Sequence, residues 1–303
     1  MNVFAGIEAG GTKFNCMLAA NPGTILAECR IPTTSPGETL SRVIEFFRAS
    51  ITRCRLHPAA IGIASFGPLN LDTASPNYGS ITSTPKIGWS QTPFLETIRQ
   101  AFPAVPIAID TDVTAAAMGE QRWGAAQGLT DFIYLTIGTG IGGGAIIHNR
   151  PLHGTLHPEM GHLLVQRDPV DDPFEGVCRF HRNCLEGLAS GPAIEKRWGK
   201  PASDLPPGHP AWELESNYLA QALHSLVCVL SPQRIILGGG VMHQSHLFPL
   251  IRRNLRERLG GYIQACQILE QIDRYIIPPG LGDQAGILGA IALAEQASRL
   301  GGD

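Results

Sequence analysis

The chain has 303 residues, 44% of them hydrophobic and 16% charged, with a formal net charge of −3, too apolar and too weakly charged for a disordered protein. A pI near 6.4 leaves no basic footprint for nucleic acid, and no run reaches the roughly 18 apolar residues of a membrane span. The 35 Gly and 23 Pro are spread through apolar segments, which predicts many tight turns with exposed backbone rather than low complexity.

The opening MNVFAGIEAGGTK has no basic leader and is interrupted early by Glu8. The expected setting is therefore the reducing cytoplasm, with Cys16, Cys29, Cys54, Cys228 and Cys266 as free core thiols. Residues 3–7 read as a buried strand, Glu8–Thr12 as a glycine turn, Lys13–Ala20 as a returning strand and Ile25–Ile31 as a third. Leu40, Val43, Ile44 and Phe47 recur at helical spacing and predict a helix over about 38–53. A strand over 60–66 stops at Gly67-Pro68, and residues 69–92, rich in Ser, Thr, Pro and Asn, read as an irregular excursion. A short helix near 93–101, a strand over 106–110 and a helix from Val113 follow.

At Phe132 the opening pattern returns as FIYLTI, a GTGIGGG turn and AIIH. Two strand–hairpin–strand units this far apart argue for a duplicated architecture rather than a solenoid. They predict an N-terminal domain over 1–113, completed by a C-terminal helix at about 284–303, and a larger domain over 114–283. The second half reads as a polar insert (167–184), a helix (185–198), a Pro-rich linker (201–210) and a long helix (212–230). A strand over 234–237 running into Gly238-Gly239-Gly240, a helix near 246–259, a strand at 275–277 and a helix over 284–298 complete an α/β chain.

Three glycine clusters follow predicted strands: Gly10-Gly11-Thr12, Gly138-Thr139-Gly140-Ile141-Gly142 and Gly238-Gly239-Gly240. Glycine there lets backbone N–H groups converge on an anion with no Cβ in the way, and a Thr hydroxyl adds a donor. Tight hairpins also use glycine for steric reasons alone, and none of the three has a Walker or dinucleotide spacing. Asp110 and Asp112 sit at a strand end, where ligands collect in open α/β sheets. Asp112 reads either as the N-cap of the helix at Val113 or as a general base facing a ligand.

His162, Cys178, His181 and Cys184 supply four zinc-type ligands within 23 residues. A closed set of four implies a structural site without an open position for water. His157 and His162 are five apart, not the four of a zincin helix, so a metalloprotease is excluded.

Together these residues resemble the ROK sugar-kinase family over nearly the whole chain. EAGGTKF (8–14) is similar to its first phosphate motif, LTIGTGIGGG (135–144) to its second and ILGGGVM (236–242) to its adenosine motif. SFGP (65–68), STPKIGW (83–89), HPEMGH (157–162), the Cys/His loop and LASGPAIE (188–195) resemble its zinc-containing bacterial fructokinase branch. The resemblance implies an actin/hexokinase-like (ribonuclease H-like) fold, two domains with a cleft between them, and Asp112 as catalytic base. It also implies that Gly67, Asp112, Glu159, His162 and Glu186 contact the sugar, with His162 a zinc ligand as well. Gly10, Gly11, Thr12, Lys13, Thr139, Gly140, Pro192, Gly238, Gly239, Gly240, Val241 and Met242 would line ATP.

Two positions depart from the general family pattern. Glu8 stands where Asp is usual, which leaves a Mg²⁺ contact to a longer carboxylate. Thr111 stands where Asn is usual, which weakens an aldohexose reading. The reaction implied is ATP + D-fructose → ADP + D-fructose 6-phosphate in a cytoplasmic homodimer, with Mg²⁺, structural Zn²⁺ and no nucleic-acid or membrane partner. Glucokinase or another hexose or N-acetylhexosamine kinase is the alternative. A sugar-sensing module is remote, because a hairpin starting by Glu8 leaves no room for a preceding helix-turn-helix.

Overall fold

Each of the two glycine hairpins seen in the sequence begins a five-stranded mixed sheet. The computed structural model describes residues 2–300. In chain order the first elements are β1 (Phe4–Ala9), β2 (Lys13–Asn21), β3 (Thr24–Pro32), α1 (Pro36–Cys54), β4 (Ala60–Ser65), α2 (Phe94–Ala101), β5 (Ile107–Thr111) and α3 (Asp112–Trp123). They are followed by β6 (Phe132–Ile137), β7 (Ile141–Ile147), β8 (Arg150–Pro151), α4 (Leu185–Ala189), α5 (Gly191–Trp198), α6 (Ala211–Leu230) and β9 (Arg234–Gly238). The last are α7 (Leu247–Leu259), α8 (Cys266–Leu269), α9 (Ile272–Tyr275), β10 (Ile276–Ile277) and α10 (Ala285–Leu300).

The first sheet has the order β3-β2-β1-β4-β5, with β1, β4 and β5 parallel. β1 and β4 are buried on both faces, Glu8 alone being half-buried, which is why they read as continuous apolar runs. The second sheet, β10-β9-β6-β7-β8, repeats the plan: β6 has an antiparallel hairpin partner on one side and a parallel strand on the other. The fold is α/β and duplicated, as the repeat implies. Contacts divide the chain into one unit of residues 1–127, 151–157 and 283–303 and another of 128–150 and 158–282.

Local chemistry explains several boundaries. α1 starts at Pro36, ahead of the start expected at about 38, because the Ser35 hydroxyl caps it and Pro36 takes the first turn. The predicted helix over 185–198 is two helices: Ser190 is extended (φ −74°, ψ 160°) between α4 and α5, and Gly191 N–H turns out to donate to Gly138 O at 2.8 Å. The excursion over 69–92 is irregular as expected, yet it carries a core residue. Trp89 is fully buried, 5.3 Å from the Phe14 ring, and donates its indole N–H to Thr34 O. Of the five thiols expected in the core, Cys16 is buried, Cys29 and Cys54 are half-buried, and Cys228 and Cys266 are exposed. Those last two lie on outward faces of α6 and α8, which apolar flanks alone did not distinguish.

α10 lies across β1, β4 and α3 in the first unit. The approach is backbone on backbone: a Cβ at Gly62 would collide with Ala290 O, and one at Gly289 with Ala115 O. We expect Gly62→Ala to lower stability by about 3 kcal/mol, the upper end of ordinary overpacking, measured by denaturant unfolding.

Residues 151–157 run through the first unit as a short strap. Its His153 Nε2 lies 3.1 Å from Asp110 Oδ1, a buried carboxylate that also accepts from Thr111 N–H at 2.7 Å. The hydrogen bond to Asp110 raises the His153 imidazole above its usual range, with burial opposing. A raised folded value means the pair stabilises fully below the unfolded imidazole value of about 6.5 and loses that contribution as pH climbs through the folded one. His153→Leu is therefore expected to lower the melting temperature more at about pH 6 than at about pH 9, by thermal scans at both.

Candidate functional site

In the first unit the three parallel strands end on one register row: Ala9 pairs with Ser65, and Ser65 with Thr111. The next residues, Gly10, Phe66 and Asp112, therefore emerge together at the carboxyl edge of the sheet, where α/β proteins bind ligands. The Gly10–Lys13 turn closes on itself through Gly10 N–H to Lys13 O at 2.9 Å. It is braced by Thr33, whose N–H donates to Thr12 O and whose hydroxyl donates to Gly10 O. Gly11 and Thr12 are left exposed, Lys13 is half-buried, and a Cβ on Gly11 would meet nothing within 4 Å.

Thr111, not Asp112, caps α3: its hydroxyl accepts from Thr114 N–H at 3.1 Å. The capping alternative for Asp112 is thereby corrected. Asp112 is the first helical residue, half-buried, with Oδ1 accepting from Val113 N–H at 2.9 Å, at a helix end that favours negative charge. Glu8 accepts from Asn15 Nδ2 at 2.7 Å through Oε2, while Oε1 lies against Gly286 at the start of α10. Burial pushes its carboxyl up and the Asn15 hydrogen bond pulls it down. Its carboxylate chemistry would suit Mg²⁺, toward which Glu8 would be the contributing residue. Gly67, in a cis peptide with Pro68, packs against the His157 ring.

In the second unit three glycine segments converge. Gly138 N–H donates to Gly140 O across the β6–β7 turn, Gly191 N–H donates to Gly138 O, and Gly240 N stands 3.8 Å from where a Gly138 Cβ would be. Gly239 has φ 90°, and a Cβ there would collide with the Ile137 backbone, so only glycine fits. Thr139, Pro192 and Gly240 are exposed at this cradle, with Gly239 half-buried and Gly238, Val241 and Met242 buried. Such a set of unhindered backbone suits phosphate and nucleotide.

Glu186 belongs to this cradle: its Oε2 accepts from Ile141 N–H at 2.9 Å and lies close to Gly140. Glu159 is exposed, yet partial desolvation pushes its carboxyl up, the nearby His162 pulls it down and the Glu186 charge pushes it up again. Gly161 lets this segment lie on β7, since a Cβ would collide with Ile141 O.

His162, Cys178, His181 and Cys184 have their ligand atoms within 4.8 Å of one another, a grouping found only here among the described residues. His162 Nδ1 is 3.5 Å from Cys184 Sγ, and Cys178 Sγ is 3.8 Å from both His162 Nδ1 and His181 Nδ1. A tetrahedral ion with bonds of about 2.3 Å to S and 2.0 Å to N places S and N about 3.6 Å apart, so these residues fit zinc. Both thiols are buried, and burial pushes Cys184 up to about 11.

The insert carrying these ligands has a second anchor that no local pattern announces. Asp172 is 3.1 Å from Arg197 with side chains only 3% and 7% exposed, and it accepts from the Tyr218 hydroxyl at 2.6 Å. Arg167 donates to Asp172 O at 2.9 Å. These partners lie up to 46 residues apart in sequence, so only tertiary structure brings them together.

The ROK family profile matches residues 4–297, and the chain belongs to that family. It is 45% identical over 294 residues to a fructokinase of Zymomonas mobilis, covering 96% of each chain. It is 43% identical to a fructokinase of Pediococcus pentosaceus, over 97% of this chain and 98% of the other. Its structure is similar to a ROK hexokinase from Thermus thermophilus, with TM-score 0.77, 25% identity and coverage of 98% and 99%. No helix among the described residues is long and apolar enough to cross a membrane.

Proposed function

We propose that this chain transfers the γ-phosphoryl group of ATP to the 6-hydroxyl of D-fructose, releasing ADP and D-fructose 6-phosphate. Likeness at 43–45% identity over nearly the full chain to two fructokinases supports the substrate. The observation that carries the chemistry is the division of labour at α3, where Thr111 supplies the cap and Asp112 follows it at the carboxyl edge of the sheet. The two compact units serve as the two domains, and the chain works as a cytoplasmic homodimer.

Phosphoryl transfer asks the protein mainly for positioning and charge neutralisation. Gly10, Gly11, Thr12 and Lys13, with Thr139 and Gly140, hold phosphate oxygens through backbone N–H groups, hydroxyls and the ammonium. Pro192 and Gly238 to Met242 line the adenosine. Gly67, Glu159, His162 and Glu186 hold sugar hydroxyls. Asp112 accepts the 6-hydroxyl proton as that oxygen bonds to the γ-phosphorus and the bond to the β-bridging oxygen breaks. Mg²⁺ bound with ATP would supply charge neutralisation, and Glu8 is the carboxylate that would serve it. Zn²⁺ held by His162, Cys178, His181 and Cys184 supplies a fixed loop and no reactive water.

The reaction is tested by ADP release across fructose, glucose, mannose and N-acetylmannosamine, with and without Mg²⁺; a higher kcat/KM on any sugar but fructose would overturn the substrate. Asp112→Asn is expected to keep its melting temperature, because Thr111 holds the cap, and to lose roughly 10²–10⁴-fold in kcat. Gly11→Val is expected to fold normally, since nothing packs there, and to raise KM for ATP far more than KM for sugar. Elemental analysis is expected to find one zinc per chain, and Cys178→Ser to remove it and weaken sugar binding more than ATP binding. A metal-free, fully active protein would reject the zinc assignment.

A further inference from the structure

The strap ends in a second histidine that braces a turn far from it in sequence. His157 is 7% exposed, and its Nε2 lies 3.1 Å from Leu69 N, 88 residues away. A backbone N–H can only donate, so Nε2 is the acceptor and carries no proton; the ring is neutral with its proton on Nδ1. The same ring edge lies flush on Gly67, where an added Cβ would stand 3.4 Å from Nε2 and 3.5 Å from Cε1.

Among the described residues, the turn following β4 is also tied to β1 and to Thr82. Phe66 N–H donates to Ala9 O at 3.0 Å, and Pro68 O accepts from Thr82 N–H at 2.8 Å and from the Thr82 hydroxyl at 3.1 Å. Leu69 is fully buried and bridges to Ile81. Its N–H has no access to water, so the His157 acceptor is what satisfies it, and losing that acceptor leaves a buried donor unpaired. The ring thus spans 88 residues of sequence to hold a turn of its own unit.

We propose that His157 is a positioning residue for the sugar: by accepting from Leu69 N–H and packing on Gly67, it holds the Gly67 turn in place. This rests on the proposed hexose kinase reading, in which Gly67 contacts the sugar. His157 touches no reacting atom, so its loss should appear in sugar affinity and not in the transfer step.

The test uses the full chain with whichever hexose the wild type phosphorylates fastest, so an error in naming fructose leaves the test intact. Three variants separate the contributions. His157→Phe keeps a ring without an acceptor. His157→Asn is too short to reach Leu69 and serves if the Phe variant does not fold. His157→Gln places an amide oxygen near the position of Nε2. We expect Phe and Asn to raise KM for the sugar about tenfold, the effect of one buried donor left unpaired. We expect kcat and KM for ATP to stay within about twofold, the pattern of lost ground-state binding. Gln should restore most of the sugar KM, and deuterium exchange at residues 66–69 should quicken in Phe and Asn but not in Gln. The proposal fails if folded Phe or Asn leaves the sugar KM unchanged. It fails equally if both KM values rise together, or if Gln is as impaired as Phe.

Discussion

Everything at the first unit's functional edge depends on three parallel strands stopping on one row, Ala9–Ser65–Thr111. That common register is what makes a glycine turn, the Phe66–Gly67 turn and Asp112 neighbours although they are about 100 residues apart in sequence. A slip of one residue in any pair would turn its side chains to the opposite face and break the grouping. The register is held from behind by α10, whose Ala290 and Gly289 meet Gly62 and Ala115 with no side chain between. The last helix of the chain is therefore part of the first sheet's geometry and not an appendage.

The two hairpins solve different problems with the same plan. The Gly10–Lys13 turn closes on itself, has its Gly10 and Thr12 carbonyls taken by Thr33, and leaves Gly11 bare, where an added Cβ would meet nothing within 4 Å. The Gly138–Gly140 turn is covered on one side by Gly191 and on another by the Glu186 carboxylate, which accepts from Ile141 N–H. That contact ties Glu186, two residues after the zinc-type ligand Cys184, to the glycine turn. A carboxylate already holding a backbone N–H is fixed in orientation before any ligand arrives.

Features carried by consecutive residues were legible in the sequence: both glycine hairpins, the helix stripe from Leu40 to Phe47 and the Cys-x2-His-x2-Cys loop, whose three ligand atoms do meet that of His162. What was not legible turned on choices between adjacent, equally competent groups or on distant partners. Thr111 and Asp112 can both cap a helix, and the extended backbone at Thr111 (φ −64°, ψ 152°) decides for the hydroxyl. The break at Ser190 serves Gly138, more than 50 residues away. Trp89 lies in a polar stretch with no periodicity, so nothing local signals that it fills the space beside Phe14 and Phe66.

The insert over 167–184 shows why composition alone misjudges a loop. Its scarcity of apolar residues suggests that a metal must hold it, but Asp172 buried against Arg197 and Tyr218 holds its early part without one. A buried ion pair costs desolvation, which this one offsets with a hydrogen bond from the Tyr218 hydroxyl to the carboxylate, one from Arg197 to Leu188 O, and the Phe174 ring 4.5 Å from the guanidinium. The Cys/His cluster then governs a shorter stretch, from Cys178 to Cys184, directly ahead of Glu186. The two anchors are thus not redundant: the ion pair and its tyrosine tie the insert to α5 and α6, and the cluster sits at the step from the insert into α4, where Glu186 stands.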